Sequence, residues 1–477
     1  MSNLYETLAT EIAQTIESGL YQPGEKMPGI RATSSNKSVS ASTAVAAYRQ
    51  LEMDGYIESR PRSGFYVRLR KQTKFDEPEA VVLEKSRPSL VEGQERVLTL
   101  VEQINKPGII KFGAAVPEAF YLPTRQLEKT LTSVARNERN AISLYEEPLG
   151  AASLRQQLAR RMAQIGCLTR KEDIIVTSGC QEAVFLALKA VCEPGDVVAV
   201  ESPTYHGHLQ VIEALGLKAL EIPTDPRAGI SIEALQLALE QWPVKACIVI
   251  PNFSNPLGSC MSDANKAKLA KLTAKYDVVA IEDDIYGDLS FRHTRPSTLK
   301  SFDVTGNIVY CSSFSKTIAP GLRVGWVVTS RYQKQIEYQK YITNVSTAKL
   351  PQLVLGKMLE SGHYEKHLRF IRSELAKSVS RISEKICQSF PSDTRITKPE
   401  GGYVIWVELP EQVDALKVAE ESLKQGISIA PGPMFSATPK YFNFMRLSCA
   451  VAWEPRTEAA IVSLGGIVKG MLEWNKQ

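Results

Sequence analysis

The sequence predicts a protein in two parts, a small head of three helices and a β-hairpin followed by a large α/β body built on a mainly parallel sheet. Three observations carry this. Apolar residues recur at helical spacing near the start, and the chain then alternates on both sides of Pro61-Arg62-Ser63, as a hairpin does. Between Ile174 and Cys311 short apolar runs alternate with helical stretches, the pattern of a sheet covered on both faces. Lys316 lies in a polar loop between the apolar runs 307–311 and 324–329, so it is expected between two buried strands.

The totals are consistent with that plan. A chain of 477 residues is long enough for at least two domains and a large core, and 44% apolar with 23% charged residues is ordinary for a globular protein. No apolar run approaches the roughly 20 residues of a membrane helix. The first 14 residues lack the apolar stretch of a signal peptide, so a cytoplasmic location and no membrane partner are expected. Eight cysteines are scattered singly, which reads as reduced thiols. His363 and His367 are four apart, but no acidic motif surrounds them and no metal is expected. A net charge of +5 is too mild to argue for nucleic acid by itself.

In the head, Leu4, Leu8, Ile12 and Ile16 fall on one helical stripe, which Gly19 ends. A short, polar second helix is expected from near Pro28 to Lys37. Ser40 can cap a third, whose buried face is Ala44, Ala47, Tyr48 and Leu51. Strands at 56–60 and 64–68 complete a winged helix-turn-helix. Five basic residues, Arg60, Arg62, Arg68, Arg70 and Lys71, cluster on or just after the hairpin, while the third helix presents Ser40, Ser42, Thr43 and Arg49. Small hydroxyls at a helix start beside a basic hairpin suit phosphate contact and major-groove entry.

Pro23-Gly24-Glu25-Lys26-Met27-Pro28 before Arg31, Val39-Ser40 before Thr43, Tyr48-Arg49-Gln50-Leu51-Glu52 with Gly55, and Arg60 with Ser63-Gly64-Phe65-Tyr66-Val67 together resemble the GntR family of regulators. The resemblance implies binding to a double-stranded DNA operator, with Arg31, Ser42, Thr43 and Arg62 as contacting positions. One departure is the second helix, where Ala32-Thr33-Ser34-Ser35-Asn36 offers little to bury. The head is placed at 1–70. From 71 to 90 the sequence loses periodicity and mixes Lys, Glu and Pro, as an exposed linker able to span tens of ångströms does.

The body is placed at 91–477, with a large subdomain about 140–345 and a smaller α+β subdomain about 91–139 plus 346–477. Strands are expected at 174–176, 197–200, 246–250, 278–282 and 307–311, and helices, the first opening over 177–181 and running to 191, then at 209–215, 232–241 and 263–275. Ser178, Gly179 and Cys180 open the first of these helices, where unpaired N–H groups favour a phosphate. Tyr205, Asn255, Asp283 and Tyr286 follow strands at their carboxyl ends, where such folds place their chemistry. A lysine held at Lys316 has its charged form disfavoured by burial and can act as an amine nucleophile. Ser313, Ser315 and Arg323 on the same loop make a donor set for phosphate oxygens.

The loop Ser312-Ser313-Phe314-Ser315-Lys316 through Arg323-Val324-Gly325-Trp326 resembles the lysine loop of fold-type I aminotransferases that use pyridoxal 5′-phosphate (PLP). Other segments match that family in order. Phe112-Gly113-Ala114-Ala115-Val116-Pro117 resembles its substrate-side glycine loop, Tyr145-Glu146-Glu147-Pro148-Leu149-Gly150 its tyrosine segment, and Phe444-Met445-Arg446-Leu447-Ser448 its carboxylate-gripping arginine segment. The resemblance implies that Lys316 forms the internal aldimine with PLP and that Tyr205 stacks on the ring. It further implies that Asn255 and Tyr286 meet the phenolic oxygen and Asp283 the pyridine nitrogen. Gly113 and Arg446 would face the effector or substrate, and Tyr145 the phosphate of a partner subunit.

A winged-helix head on an aminotransferase body is the architecture of MocR-like regulators within the GntR family, and the resemblance covers essentially the whole chain. It implies a homodimeric, PLP-binding transcription regulator that senses an amino compound or PLP itself. An active amino-acid aminotransferase with an accessory DNA-binding head is the alternative, because every catalytic position named is filled.

Overall fold

The computed structural model describes residues 4–22, 24–53, 55–60, 63–68, 75–81, 87–91, 97, 102, 106–292 and 294–474. In the head, α1 (Leu4–Glu17), α2 (Ile30–Asn36) and α3 (Ala41–Met53) precede β1 (Ile57–Arg60) and β2 (Gly64–Val67), which pair antiparallel. Leu8, Ile12, Ala47, Tyr48, Leu51, Ile57 and Val67 form its core. Leu4 is exposed; the expected stripe becomes buried only from Leu8 onward. The polar α2 is held by hydrogen bonds. Thr33 is buried with its hydroxyl 2.8 Å from that of Tyr48, which donates to the Pro28 carbonyl at 2.7 Å. Ser40 caps α3 by accepting from the Thr43 amide at 3.1 Å, a contact worth about 1 kcal/mol.

The strands of the body are β3 (Ser89–Leu90), β4 (Ile110–Lys111), β5 (Ile174–Thr177), β6 (Val197–Ser202), β7 (Lys218–Asp225), β8 (Gly229–Ile230), β9 (Val244–Val249), β10 (Val279–Asp283), β11 (Ile308–Ser313) and β12 (Gly325–Val328). They continue with β13 (Arg395–Ile396), β14 (Val404–Glu408), β15 (Ile427–Ser428), β16 (Ala430–Pro431) and β17 (Phe444–Ser448). The main sheet runs β3-β7-β6-β9-β10-β11-β12-β5, with β8 on β7. Strands β7, β6, β9, β10 and β11 are mutually parallel, and β12 is antiparallel to both β11 and β5. Helices cover both faces, so β5, β6, β10, β11 and β12 are buried along their whole length.

A second sheet, β13-β14-β17-β16, is antiparallel, and β15 pairs with β4. Strand β7 was not anticipated, since its polar residues interrupt the apolar pattern. Glu221 in its middle is buried and accepts from Ser202, Ser436, Thr438 and Lys440.

The stretch expected as an exposed linker is anchored where it is described. Phe75 is buried in the large core, the Asp76 carbonyl accepts from the Ile396 amide at 3.1 Å, and Glu77 pairs with Arg227 at 2.6 Å. Strand β3 adds to the edge of the main sheet. A polar sequence looks like a linker until the partners that hold it are known. The long helix His363–Ser389 borders the head, and α3 faces it across a crevice of about 1030 Å³.

Candidate functional site

The carboxyl ends of the central strands bring the predicted groups together. Gly179, with φ +93°, turns the chain from β5 into the helix Cys180–Val191. That φ favours glycine, and the lack of a Cβ lets the Arg323 guanidinium lie close against the turn. Arg323, itself at φ +51°, donates from Nη2 to the Ser178 carbonyl at 2.9 Å. Ser313 and Ser315 are buried nearby in sequence, and the Ser315 amide donates to Ser313 Oγ at 3.3 Å. A helix start, two hydroxyls and a guanidinium form the donor set of an anion cradle.

Asp283 ends β10 and is buried. It accepts from the Cys180 thiol at 3.3 Å, and its other oxygen lies 3.0 Å from His208 Nε2. Tyr205 precedes the helix His206–Ala214, its ring edge-on to His208 with centroids 5.4 Å apart. Burial pushes the Tyr205 hydroxyl up to about 12 and His206 down to about 3, with Arg446 adding to the effect on His206. Lys316 Nζ donates to the Ala115 carbonyl at 2.7 Å. Burial, and then the Arg446 guanidinium, bring the Lys316 amine down to about 8, against the pull of Asp283. Near neutral pH a usable fraction is therefore the free nucleophile.

Arg446 is buried in the middle of β17. Its Nη1 donates to Asn255 Oδ1 at 3.4 Å and its Nη2 to the Gly113 carbonyl, while its Nε has no partner. The buried Tyr286 hydroxyl is likewise without a partner. Unpaired buried donors are costly, so both point to groups supplied by a ligand.

Three residues here, His208, Tyr403 and Phe435, escaped sequence reasoning, and Ala115 was named only as part of its loop. His208 supports Asp283, and Tyr403 packs edge-on to Tyr286 while donating to the Ala115 carbonyl at 2.9 Å. Ala115 accepts from both Lys316 and Tyr403, and Phe435 lies 5.6 Å from the Arg446 guanidinium. The pair Gly401-Gly402 before Tyr403 was the one available signal.

Some predicted residues stand apart or act differently. Tyr145 is 83% exposed. The Cys180 side chain is spent on Asp283, so its amide is what it can offer an anion. Ser178 Oγ accepts from Asn344 Nδ2 at 3.5 Å. In the head, Arg31 and Ser42 are exposed near the starts of α2 and α3, and Thr43 is half-buried with its hydroxyl 2.8 Å from Ser40 Oγ. Arg62 lies outside the described residues.

Head and body together define a DNA-binding module joined to an aminotransferase-type body, and the comparisons give the same division. Residues 109–464 match the aminotransferase class I and II family, and residues 4–67 match the bacterial regulatory proteins of the gntR family, which implies DNA binding. The HTH-type transcriptional regulator YjiR of Escherichia coli K12 is 40% identical over 98% of this chain and 99% of its own, and YdcR of the same organism 37% over the same shares. Among solved structures, the Pyrococcus horikoshii kynurenine aminotransferase, in complex with PMP, has a TM-score of 0.75 at 29% identity, covering 79% of this chain and 95% of that one. Thermus thermophilus LysN, an α-aminoadipate aminotransferase complexed with N-(5′-phosphopyridoxyl)-L-leucine, has a TM-score of 0.73 at 25%, covering 80% and 96%. The chain belongs to the MocR-like branch of the GntR regulators, in which a winged-helix head is fused to a class I/II aminotransferase body. This body type implies PLP, and the anion cradle, the buried Asp283 and the partnerless Tyr286 and Arg446 atoms fit that cofactor.

Proposed function

We propose that this protein is a cytoplasmic transcription regulator whose body holds PLP and responds to an amino compound, with head at 1–70, linker at 71–90 and body at 91–477. The observation that carries this is Arg446, buried with an unpartnered Nε near Lys316, in a chain that also carries a GntR head. A guanidinium so placed is one bidentate carboxylate short of satisfaction.

In this reading Gly179, Cys180, Ser313, Ser315 and Arg323 hold the phosphate, and Asp283, steadied by Cys180 and His208, holds a proton on the pyridine nitrogen. Tyr205 covers the ring, and Asn255 and Tyr286 donate to its phenolic oxygen. When bound, PLP supplies a carbonyl for amines and a ring that withdraws electrons. Lys316, lowered toward neutrality, would be the chain's own amine available to that carbonyl, and Arg446, held by the Gly113 carbonyl, would grip the carboxylate of an amino compound. Arg31, Ser42, Thr43 and Arg62 contact the operator. Ile142, Leu144 and Tyr145 are exposed together, and we place them at a homodimer interface, with Tyr145 reaching the partner's phosphate.

Selection of genomic fragments on the purified protein, with and without PLP at physiological salt, tests this. Discrete paired sites are expected; only salt-sensitive, sequence-indifferent binding would overturn it. A second reading, an amino-acid aminotransferase, is favoured by the complete set around Lys316. Sustained conversion of amino acid to keto acid with a keto-acid acceptor would establish it.

A further inference from the structure

The helix His363–Ser389 touches both ends of the molecule. On its inner face His367 Nε2 donates to the carbonyl of Thr317, the residue after Lys316, at 2.7 Å. The Tyr364 hydroxyl lies 3.1 Å from Thr317 Oγ1 and donates to Asp288 at 2.7 Å. A second set of contacts converges here from the cofactor side. Asp284, next to Asp283, is paired with Arg295, Arg295 with Asp288 at 2.7 Å, and the Asp288 carbonyl accepts from Arg372 Nε at 2.6 Å.

The outer face of the same helix, through Arg369, Phe370, Arg372 and Ser373, forms one wall of the crevice whose other wall is α3. Ser42, Val45, Ala46 and Arg49 of α3 look into that crevice. They lie opposite the packed face of Ala44, Ala47, Tyr48 and Leu51, so this is the face α3 would turn to DNA. The crevice sets Arg369, Phe370, Arg372 and Ser373 of that helix against this face, so α3 meets a protein wall where it would have to enter a major groove about 12 Å wide. Docked in this way, the head cannot engage DNA through α3. Interfaces between domains of one chain are commonly mobile.

We propose that the helix His363–Ser389 is a latch: it holds α3 away from DNA and senses the Lys316 loop through His367 and Thr317. The proposal rests on the regulator reading for the role of α3. His367 is here a positioning residue. It touches neither cofactor nor effector in this scheme, but fixes the backbone of the loop that carries Lys316. Amines that draw Lys316 out of its place alter Thr317, and with it the helix that walls the crevice. Such coupling requires only that the two loop states favour docked and released heads unequally.

Hydrogen exchange of the full chain, resolved to peptides, tests this without DNA. In His367→Leu, residues 41–53 should exchange about tenfold faster than in the wild type, and His367→Gln, which keeps a donor for the Thr317 carbonyl, should restore slow exchange. Phe370→Ser, an exposed position on the crevice wall, should release α3 while leaving the visible absorbance of lysine-bound PLP unchanged. His367→Leu should shift the pH midpoint of that absorbance. Unchanged α3 exchange in both Leu and Ser variants would overturn the latch, as would failure of Gln to rescue. Absence of a specific operator would instead sink the regulator reading and leave any exchange difference standing.

Discussion

His208 Nε2 lies 3.0 Å from Asp283 Oδ2 at the floor of the site, with the Cys180 thiol on the other carboxylate oxygen. Neither partner sits near Asp283 in sequence. Together they fix the direction of the carboxylate that, in the proposed reading, meets the pyridine nitrogen. His208→Phe removes one of the two and should weaken PLP retention by about tenfold, on the order of 1–3 kcal/mol for a buried acceptor losing its donor. Dialysis followed by absorbance reads this, and wild-type retention would refute the assigned role.

Lys316 gives a pH prediction. Its amine is brought down to about 8 by burial and by Arg446, so below that pH the free, reactive fraction shrinks as the amine takes up its proton. The rate of PLP uptake by the PLP-free protein should rise with pH and level off above about 8. The same depression has a sign in stability. Between about 8 and the ordinary lysine value of 10.5 the unfolded chain holds a proton here that the folded one lacks, so this group's contribution favours folding increasingly as pH rises through that window. Lys316→Ala should abolish the visible absorbance of lysine-bound PLP, and persistence of that band would place the attachment elsewhere.

Arg446→Lys keeps the charge but loses the fork. Titration with amino acids, followed by the change in PLP absorbance, should show effector affinity reduced by roughly tenfold to a hundredfold, the 1.5–3 kcal/mol of a charge-assisted hydrogen bond. PLP binding itself should change little. Equal loss of both would mean that Arg446 organises the cofactor site rather than the effector.

Arg31 is exposed at the start of α2. If it meets a phosphate, Arg31→Ala should weaken operator and non-operator DNA alike and reduce the salt slope of binding by about 1. Ser42→Ala, at the start of α3, should instead act selectively on the operator. The reverse pattern would exchange their roles.

Much of this site was legible because PLP chemistry needs particular residue types at the ends of particular strands. Lys316, Asn255 and Gly179 occupy turns, and Asp283 a strand end, that the neighbouring apolar runs mark plainly. The helices Ile232–Gln241 and Asp263–Lys275 were legible to the residue, because their apolar spacing and flanking residues agree. His208 and Tyr403 were not, because each acquires its role from a partner far along the chain: His208 from Asp283, and Tyr403 from Ala115 and Tyr286.

By itself, then, the sequence determined the local elements and the order of chemical groups, since strand alternation, helical spacing and loop chemistry depend on neighbours within a few residues. Tertiary structure alone decided which donors remain unsatisfied, how far burial lowers Lys316, and where the polar stretch after the head is pinned by Phe75 and Glu77. It also decided that the helix carrying His367 faces both Thr317 and α3. Those properties depend on what is brought close in space, and desolvation and hydrogen-bond partners are set by that proximity rather than by order along the chain.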